Sequence, residues 1–287
     1  MNNYTLIFET KAGSHLYGTN IPTSDLDYRG VVYEPLTAIL GIQPFEQKEF
    51  PKPEDKVYYG LRKFVSLALQ CNPNIIELLF AGDESITYKT EDWDYLVAYR
   101  DLFLNKHAIV KNFCGYALGQ FKRMETHHRW MTGNTPTKPN PEDYGRVLND
   151  DGSESWTYFH LKNEYENKKK NWDTYSAWLA NRNKIRHDLE EKFGYDTKHG
   201  MHLVRLLQQG EELLKTGHLI LPRPNAKELL EIRYGSMTYE QIDDYLTEKM
   251  EYLRNLEKSS NLPASSNYAK IEEMVMQLNY DYVKREF

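Results

Sequence analysis

Residues 13–30 read GSHLYGTNIPTSDLDYRG, and the fold of the chain turns on this stretch. The preceding YTLIFETKA, residues 4–12, mixes β-branched and aromatic residues and predicts a strand. Gly13 and Ser14 break it, HLYG can start a short helix, and Pro22, Thr23 and Ser24 are turn formers. DYRGVVYEPL, residues 27–36, predicts a second strand. A small-residue turn and an Asp-x-Asp therefore fall between two strands, with Ser14 and Asp25 eleven positions apart.

The chemistry of such a stretch follows from its charges. If Asp25 and Asp27 enter the second strand, positions i and i+2 put both carboxylates on one face. Two anions that close disfavour each other's ionisation, and a divalent cation removes the penalty. Mg²⁺ suits the place, since it takes carboxylate, phosphate and water oxygens. Gly13 lets a phosphate approach the backbone, a helix start offers unpaired N–H groups, and Ser14 adds a hydroxyl donor. An isolated Asp-x-Asp is usually a pair of surface acids. The compound pattern GS-x₃-G-x₅-SDLDYRG after a strand is far more specific. A haloacid-dehalogenase phosphotransferase would need an apolar strand before the acids and Thr or Val where Arg29 stands. A glycosyltransferase would need a nucleotide-binding domain ahead of residue 25.

Composition sets the frame. The 287 residues include 27% charged and 40% hydrophobic ones, an ordinary globular balance. No apolar run approaches the ~20 residues of a membrane helix. MNNYTLIFETK lacks the basic-then-apolar order of a secretory signal, and Cys71 and Cys114 make no disulfide framework. Both thiols are expected buried and free, and the location cytoplasmic (host cytoplasm if phage-encoded). The net charge of −6 favours a small nucleotide or an RNA end over a long duplex as ligand.

Further along, VYYG predicts a third strand starting near Asp55, and LRKFVSLALQC, residues 61–71, has helical spacing. Asn72-Pro73-Asn74 stops that helix and caps the next. Helices are expected at roughly 91–130, 156–192, 198–216, 225–232, 238–257 and 268–284, with a long loop at 131–155. The expectation is an α+β fold, with a core over residues 1–90 and a mainly helical region over residues 91–287.

GSHLYGT…SDLDYRG resembles the signature of the polymerase-β-type nucleotidyltransferase superfamily. Its spelling is similar to that of a bacterial and phage branch linked to RNA repair and RNA ligases. LRKF at 61–64, NPNIIELLF at 72–80, GYALGQ at 115–120 and DTKHGMHLVRLL at 196–207 extend the resemblance over about residues 4–240. It implies a small mixed sheet with flanking helices and transfer of a nucleoside monophosphate from an NTP to a hydroxyl, with release of pyrophosphate. Asp25 and Asp27 would be metal ligands, Gly13 and Ser14 would bind phosphate, and two Mg²⁺ (or Mn²⁺) ions would serve. A third carboxylate on a following strand is part of that pattern. Asp55 is chosen, with Glu54 and Glu49 as alternatives. The acceptor implied is an RNA end, that of tRNA included. A protein hydroxyl, as in toxin–antitoxin pairs, and a degenerate nucleotide-binding protein are the rivals. Neither the NTP used nor the oligomeric state is legible.

On a helix, Lys198, His202 and Arg205 form one stripe of potentially cationic groups suited to a triphosphate or to ion pairs. Neither His199 with His202 nor His127 with His128 has the cysteines or H-E-x-x-H spacing of a zinc site. Glu77 is expected to pair within the fold, and Arg29 to neutralise Asp27.

Overall fold

The structure, a computed structural model, describes residues 4–180 and 184–286. Its first part runs β1 (Thr5–Lys11), α1 (Gly13–Tyr17), β2 (Tyr28–Tyr33), α2 (Leu36–Ile39), β3 (Gln47–Phe50), β4 (Lys56–Gly60), α3 (Leu61–Leu69), α4 (Pro73–Ile76), β5 (Ile86–Lys89) and α5 (Glu91–Ala98). The strands form one mixed sheet in the order β3-β4-β2-β1-β5. β2 lies antiparallel to β1, with Lys11 opposite Tyr28, and parallel to β4, with Tyr28 opposite Lys56. One end of the sheet therefore gathers the end of β1 and the starts of β2 and β4. The Gly-Ser turn, the Asp-x-Asp and Asp55 all sit at that end.

β1 buries Ile7 and Phe8, and β2 buries Val31 and Val32. Phe8 stacks on Trp93 of α5 with ring centroids 3.8 Å apart, and Phe64 of α3 meets the same indole edge-on at 5.6 Å. Each such side chain, buried whole, stabilises the fold by about 1.5–3 kcal/mol.

The second part runs α6 (Lys106–Met131), β6 (Arg146–Leu148), β7 (Glu154–Trp156), α7 (Phe159–Ala180), α8 (Lys184–Phe193), α9 (Thr197–Thr216), α10 (Ala226–Arg233), α11 (Tyr239–Ser259) and α12 (Tyr268–Glu286). α9 is its axis. It buries Leu203, Val204, Leu206, Leu207 and Leu213, and packs against α6, α10 and α11. Gly210 allows the close approach to α6, since a Cβ there would lie 3.1 Å from Phe113. α11 opens on a reciprocal cap between Thr238 and Gln241, the residue pattern that starts helices. α12 returns to the sheet, where Tyr282 stacks on Tyr33 at 4.2 Å and bonds Thr5. One buried apolar cluster runs through both parts, from Ile7 to Tyr282.

The α+β expectation holds, and several boundaries differ. The helix expected over 91–130 is broken between α5 and α6. Asn105 is extended there and its side chain accepts the Ala108 N–H, so it starts a new helix. Within the helix expected over 156–192, residues 181–183 lie outside the described residues, and α7 and α8 cover most of the rest. The loop 131–155 carries a short 3₁₀ turn at Pro141–Tyr144 and the first strand of the β6–β7 hairpin. β5, an edge strand of four residues, is too short to announce itself. Above all, β2 begins at Tyr28, so Asp25 and Asp27 precede the strand and do not share its face.

Candidate active site

Strand pairing positions the acids. The Ala12 N–H donates to the Asp27 carbonyl at 2.8 Å, tying the end of β1 to the start of β2. The Tyr28 N–H donates to the Asp55 carbonyl at 3.0 Å, tying β2 to β4. Asp27 and Asp55 are thus neighbours, and their side chains hydrogen-bond. Burial first, then the Asp55 carboxylate and more weakly Asp25, push the Asp27 carboxyl above its ordinary range, against the opposing charge of Arg29. Asp55 has a φ of 45°, left-handed backbone that Asp tolerates better than most residues.

Gly13 has a different first task from the one its sequence suggests. Its φ is 59°, and a Cβ would stand 2.9 Å from Asp27 Oδ2. The missing side chain makes room for the carboxylate, and only then for a phosphate.

Asp25 carries an ion pair of its own. Its Oδ2 lies 2.6 Å from Lys52 Nζ, with both side chains 67% exposed. Lys52 first, and Lys198 more weakly, hold the Asp25 carboxyl below the usual carboxylate range. The strand alternation expected to align the Asp pair does not apply, because both residues precede β2.

A cleft of about 320 Å³ opens over these groups. Gly13, Ser14, Thr23, Ser24, Asp25 and Asp27 form one wall. Thr197, Lys198 and His202 of α9 form the opposite one. The stripe on α9 divides at this point. Lys198 and His202 reach the cleft, while Arg205 is buried behind it. Its guanidinium lies 3.7 Å over the Tyr17 ring, 3.7 Å from Glu77 Oε2, and donates to Gln209 Oε1 at 2.8 Å. The Tyr17 hydroxyl donates to the same Glu77 oxygen at 2.6 Å. Glu77 thus pairs within the fold. Burial pushes its carboxyl up, and Arg205 and Tyr17 oppose that push.

His202 enters the cleft without the charge its sequence allows. Burial, followed by the charges of Arg205 and Lys198, pushes its pKa well below 6.5, so the ring is neutral. Its buried Nδ1 has no hydrogen-bond partner. Arg233 and Tyr234, at the end of α10, line the cleft as well. Sequence reasoning missed them. The one available signal was an Arg-Tyr pair closing a helix, which is common on surfaces.

The model of the RlaP family, described as the RNA repair pathway DNA polymerase beta family, matches residues 1–277. This chain belongs to that family. No curated protein and no solved structure matches it.

Membership of the RNA repair pathway DNA polymerase beta family implies a nucleotidyltransferase-type enzyme, which turns attention to metals. The donor set of Asp25, Asp27 and Asp55 is all oxygen, the choice of a hard divalent ion. Mutual repulsion at Asp27 and an ammonium standing against Asp25 both show a place that asks for positive charge. The unpartnered Nδ1 of His202 adds an unsatisfied polar atom to the same cleft. These residues fit the ion. Among the described residues no helix is long and apolar enough to cross a membrane. Cys71 and Cys114 are both free and buried.

Proposed function

We propose that this chain is a Mg²⁺-dependent nucleotidyltransferase that transfers NMP from an NTP to a hydroxyl at an RNA end. The observation that carries the reading is that Ser14, Asp25, Asp27 and Lys198 line one cleft, with Asp55 beside Asp27. The family's description favours RNA as the acceptor.

In this reading the acceptor oxygen attacks the α-phosphorus, the bond to the bridging oxygen of the β-phosphate breaks, and pyrophosphate leaves. Asp25, Asp27 and Asp55 would hold Mg²⁺, or Mn²⁺, which would supply charge stabilisation for phosphoryl chemistry. Asp55 also orients the acceptor hydroxyl and takes its proton. Ser14 and the backbone N–H groups beside it grip the β- and γ-phosphates. Lys198 neutralises them from the facing wall as a point charge. His202 contributes as a neutral ring, by hydrogen bonding alone. Half-exposed Tyr234 offers an aromatic face at the rim, where a base can stack.

The test is to incubate the protein with each α-³²P-labelled NTP and Mg²⁺, with total RNA in one arm and total protein in the other. Label in RNA, lost in Asp25→Asn and Asp27→Asn, is the expected result. Label in protein alone assigns a protein hydroxyl as acceptor. Absence of label with every NTP and metal overturns the transfer reading.

A further inference from the structure

A second, chemically different cluster lies outside the cleft. His127 on α6 and His199 on α9 converge on Asp196, the residue that caps α9. His127 Nδ1 lies 3.4 Å from Asp196 Oδ2, and His199 Nε2 lies 3.5 Å from the same oxygen. All three donor atoms fall within 4.8 Å of one another, and this is the one such group of three among the described residues. We propose that His127, Asp196 and His199 bind one divalent transition-metal ion of the zinc class.

The distances favour a metal. A zinc ion bonds nitrogen and oxygen at about 2.0–2.1 Å in a tetrahedron, which places adjacent donors about 3.3–3.4 Å apart. Both separations to Asp196 are close to that edge. A direct hydrogen bond would be shorter, at about 2.7–3.2 Å.

The proton positions favour it too. His199 Nδ1 lies 2.7 Å from the Gln120 side-chain oxygen, which can only accept, so Nδ1 carries a hydrogen. With Nδ1 turned to Gln120, Nε2 is the ring nitrogen presented to Asp196 Oδ2. His127 Nδ1 is buried without a hydrogen-bond partner. Asp196 is fully buried; its Oδ1 accepts the Lys198 and His199 backbone N–H groups, and Oδ2 is the oxygen near both histidines. Gln120 fixes the His199 ring in the way that metal-binding histidines are usually fixed. Trp130 and Trp178 lie over His127 with ring centroids 5.4 Å away, lowering water access.

Two nitrogens and one carboxylate select a borderline ion such as Zn²⁺ over Mg²⁺. Three protein donors leave one tetrahedral position for solvent. The metal would join α6 to the first turn of α9, the turn that presents Thr197 and Lys198 to the cleft. The sequence hides the site because its two histidines lie 72 positions apart on different helices. Each also has a neighbouring histidine that suggests the wrong pairing.

The test uses full-length protein without a polyhistidine tag, loaded with Zn²⁺ and dialysed against metal-free buffer. Elemental analysis should find about one zinc per chain. Co²⁺ should give the strong visible bands of a four-coordinate, nitrogen-ligated site. His127→Asn and His199→Asn should each weaken retention at least tenfold, and Gln120→Ala by about 10–100-fold. An Asp25→Asn/Asp27→Asn protein should retain the zinc, which separates this site from the proposed Mg²⁺ site. If the histidine variants fail to fold, as judged by near-UV circular dichroism, the wild-type Co²⁺ spectrum decides. Wild-type protein that retains no zinc, or gives only weak six-coordinate Co²⁺ bands, overturns the proposal and leaves a metal-free histidine pair beside Asp196. Zinc that survives in a folded double histidine variant, or vanishes in the double aspartate variant, overturns it as well.

Discussion

Asp27 and Asp55 each stand one residue before a strand of the parallel pair β2 and β4, and their side chains hydrogen-bond to each other. Parallel pairing in this register delivers two carboxylates to one point, and the fold tolerates the repulsion. Asp27→Asn removes it. The expected outcome is a metal-free Tm higher by about 1–2 °C, after allowance for the half-exposed setting, with transfer activity lower by about a hundredfold or more. Thermal melts with and without Mg²⁺ check this. Mg²⁺ should raise the Tm of the wild type and leave that of the variant unchanged.

The pH dependence follows with a definite sign. The Asp27 carboxyl is raised above its ordinary 3.8, so the folded metal-free protein binds more protons than the unfolded chain between 3.8 and the raised value. Its contribution to stability therefore falls as pH rises through that window. Metal binding needs the ionised form, so activity falls as pH drops through the raised pKa. The Mg²⁺ concentration for half-maximal rate should climb about tenfold per pH unit below it. Rates measured over a grid of pH and Mg²⁺ check this. A half-maximal Mg²⁺ concentration independent of pH down to the ordinary carboxylate range would contradict it.

Lys52 stands on Asp25 where a metal ion would otherwise bring positive charge. Lys52→Met should lower the Mg²⁺ concentration needed for half-maximal rate, by no more than about fivefold for an exposed pair. It should also let the Asp25 carboxyl rise toward its ordinary range. A higher Mg²⁺ requirement in the variant would assign Lys52 to the triphosphate instead.

Lys198 and Arg205 share a helix and face different surroundings. Lys198→Met should raise the KM for NTP several-fold and leave the Tm within about 2 °C of wild type. Arg205→Met leaves Glu77 buried without its cation, a loss of about 3–5 kcal/mol, and should lower the Tm by roughly 6–15 °C. Melting curves and steady-state kinetics on the two variants separate the roles. Equal effects on Tm would contradict the division.

Gly13→Ala places a Cβ 2.9 Å from Asp27 Oδ2 at a φ of 59°. The carboxylate must move, so the variant should lose Mg²⁺-induced stabilisation along with activity. Ser14→Ala should keep the first and lose less of the second, because backbone N–H groups remain.

What the sequence disclosed depended on whether a signal was local. β1 and α3 were legible because β-branched and aromatic content in the one, and helical apolar spacing in the other, lie within a few residues. Asp55 could be chosen as a third acid from its place before VYYG. Its contact with Asp27 depends on parallel pairing, which strand propensity does not encode. Arg205 and His202 fell on a stripe suited to a triphosphate or to ion pairs, because helical spacing groups residues and is silent about what faces them. Packing around Tyr17 and Glu77 took Arg205 out of the cleft, and burial removed the charge from His202. Arg233 and Tyr234 stayed hidden because the α10–α9 approach that brings them to the cleft is wholly tertiary.

The guanidinium stacked on Tyr17 has one more consequence. It braces the helix that carries Ser14 against the helix that carries Lys198, and Glu77 locks both partners in the interior. The two jaws of the cleft are held at a fixed gauge. A load on one jaw is therefore carried to the other through a buried cation and ring, and not through solvent.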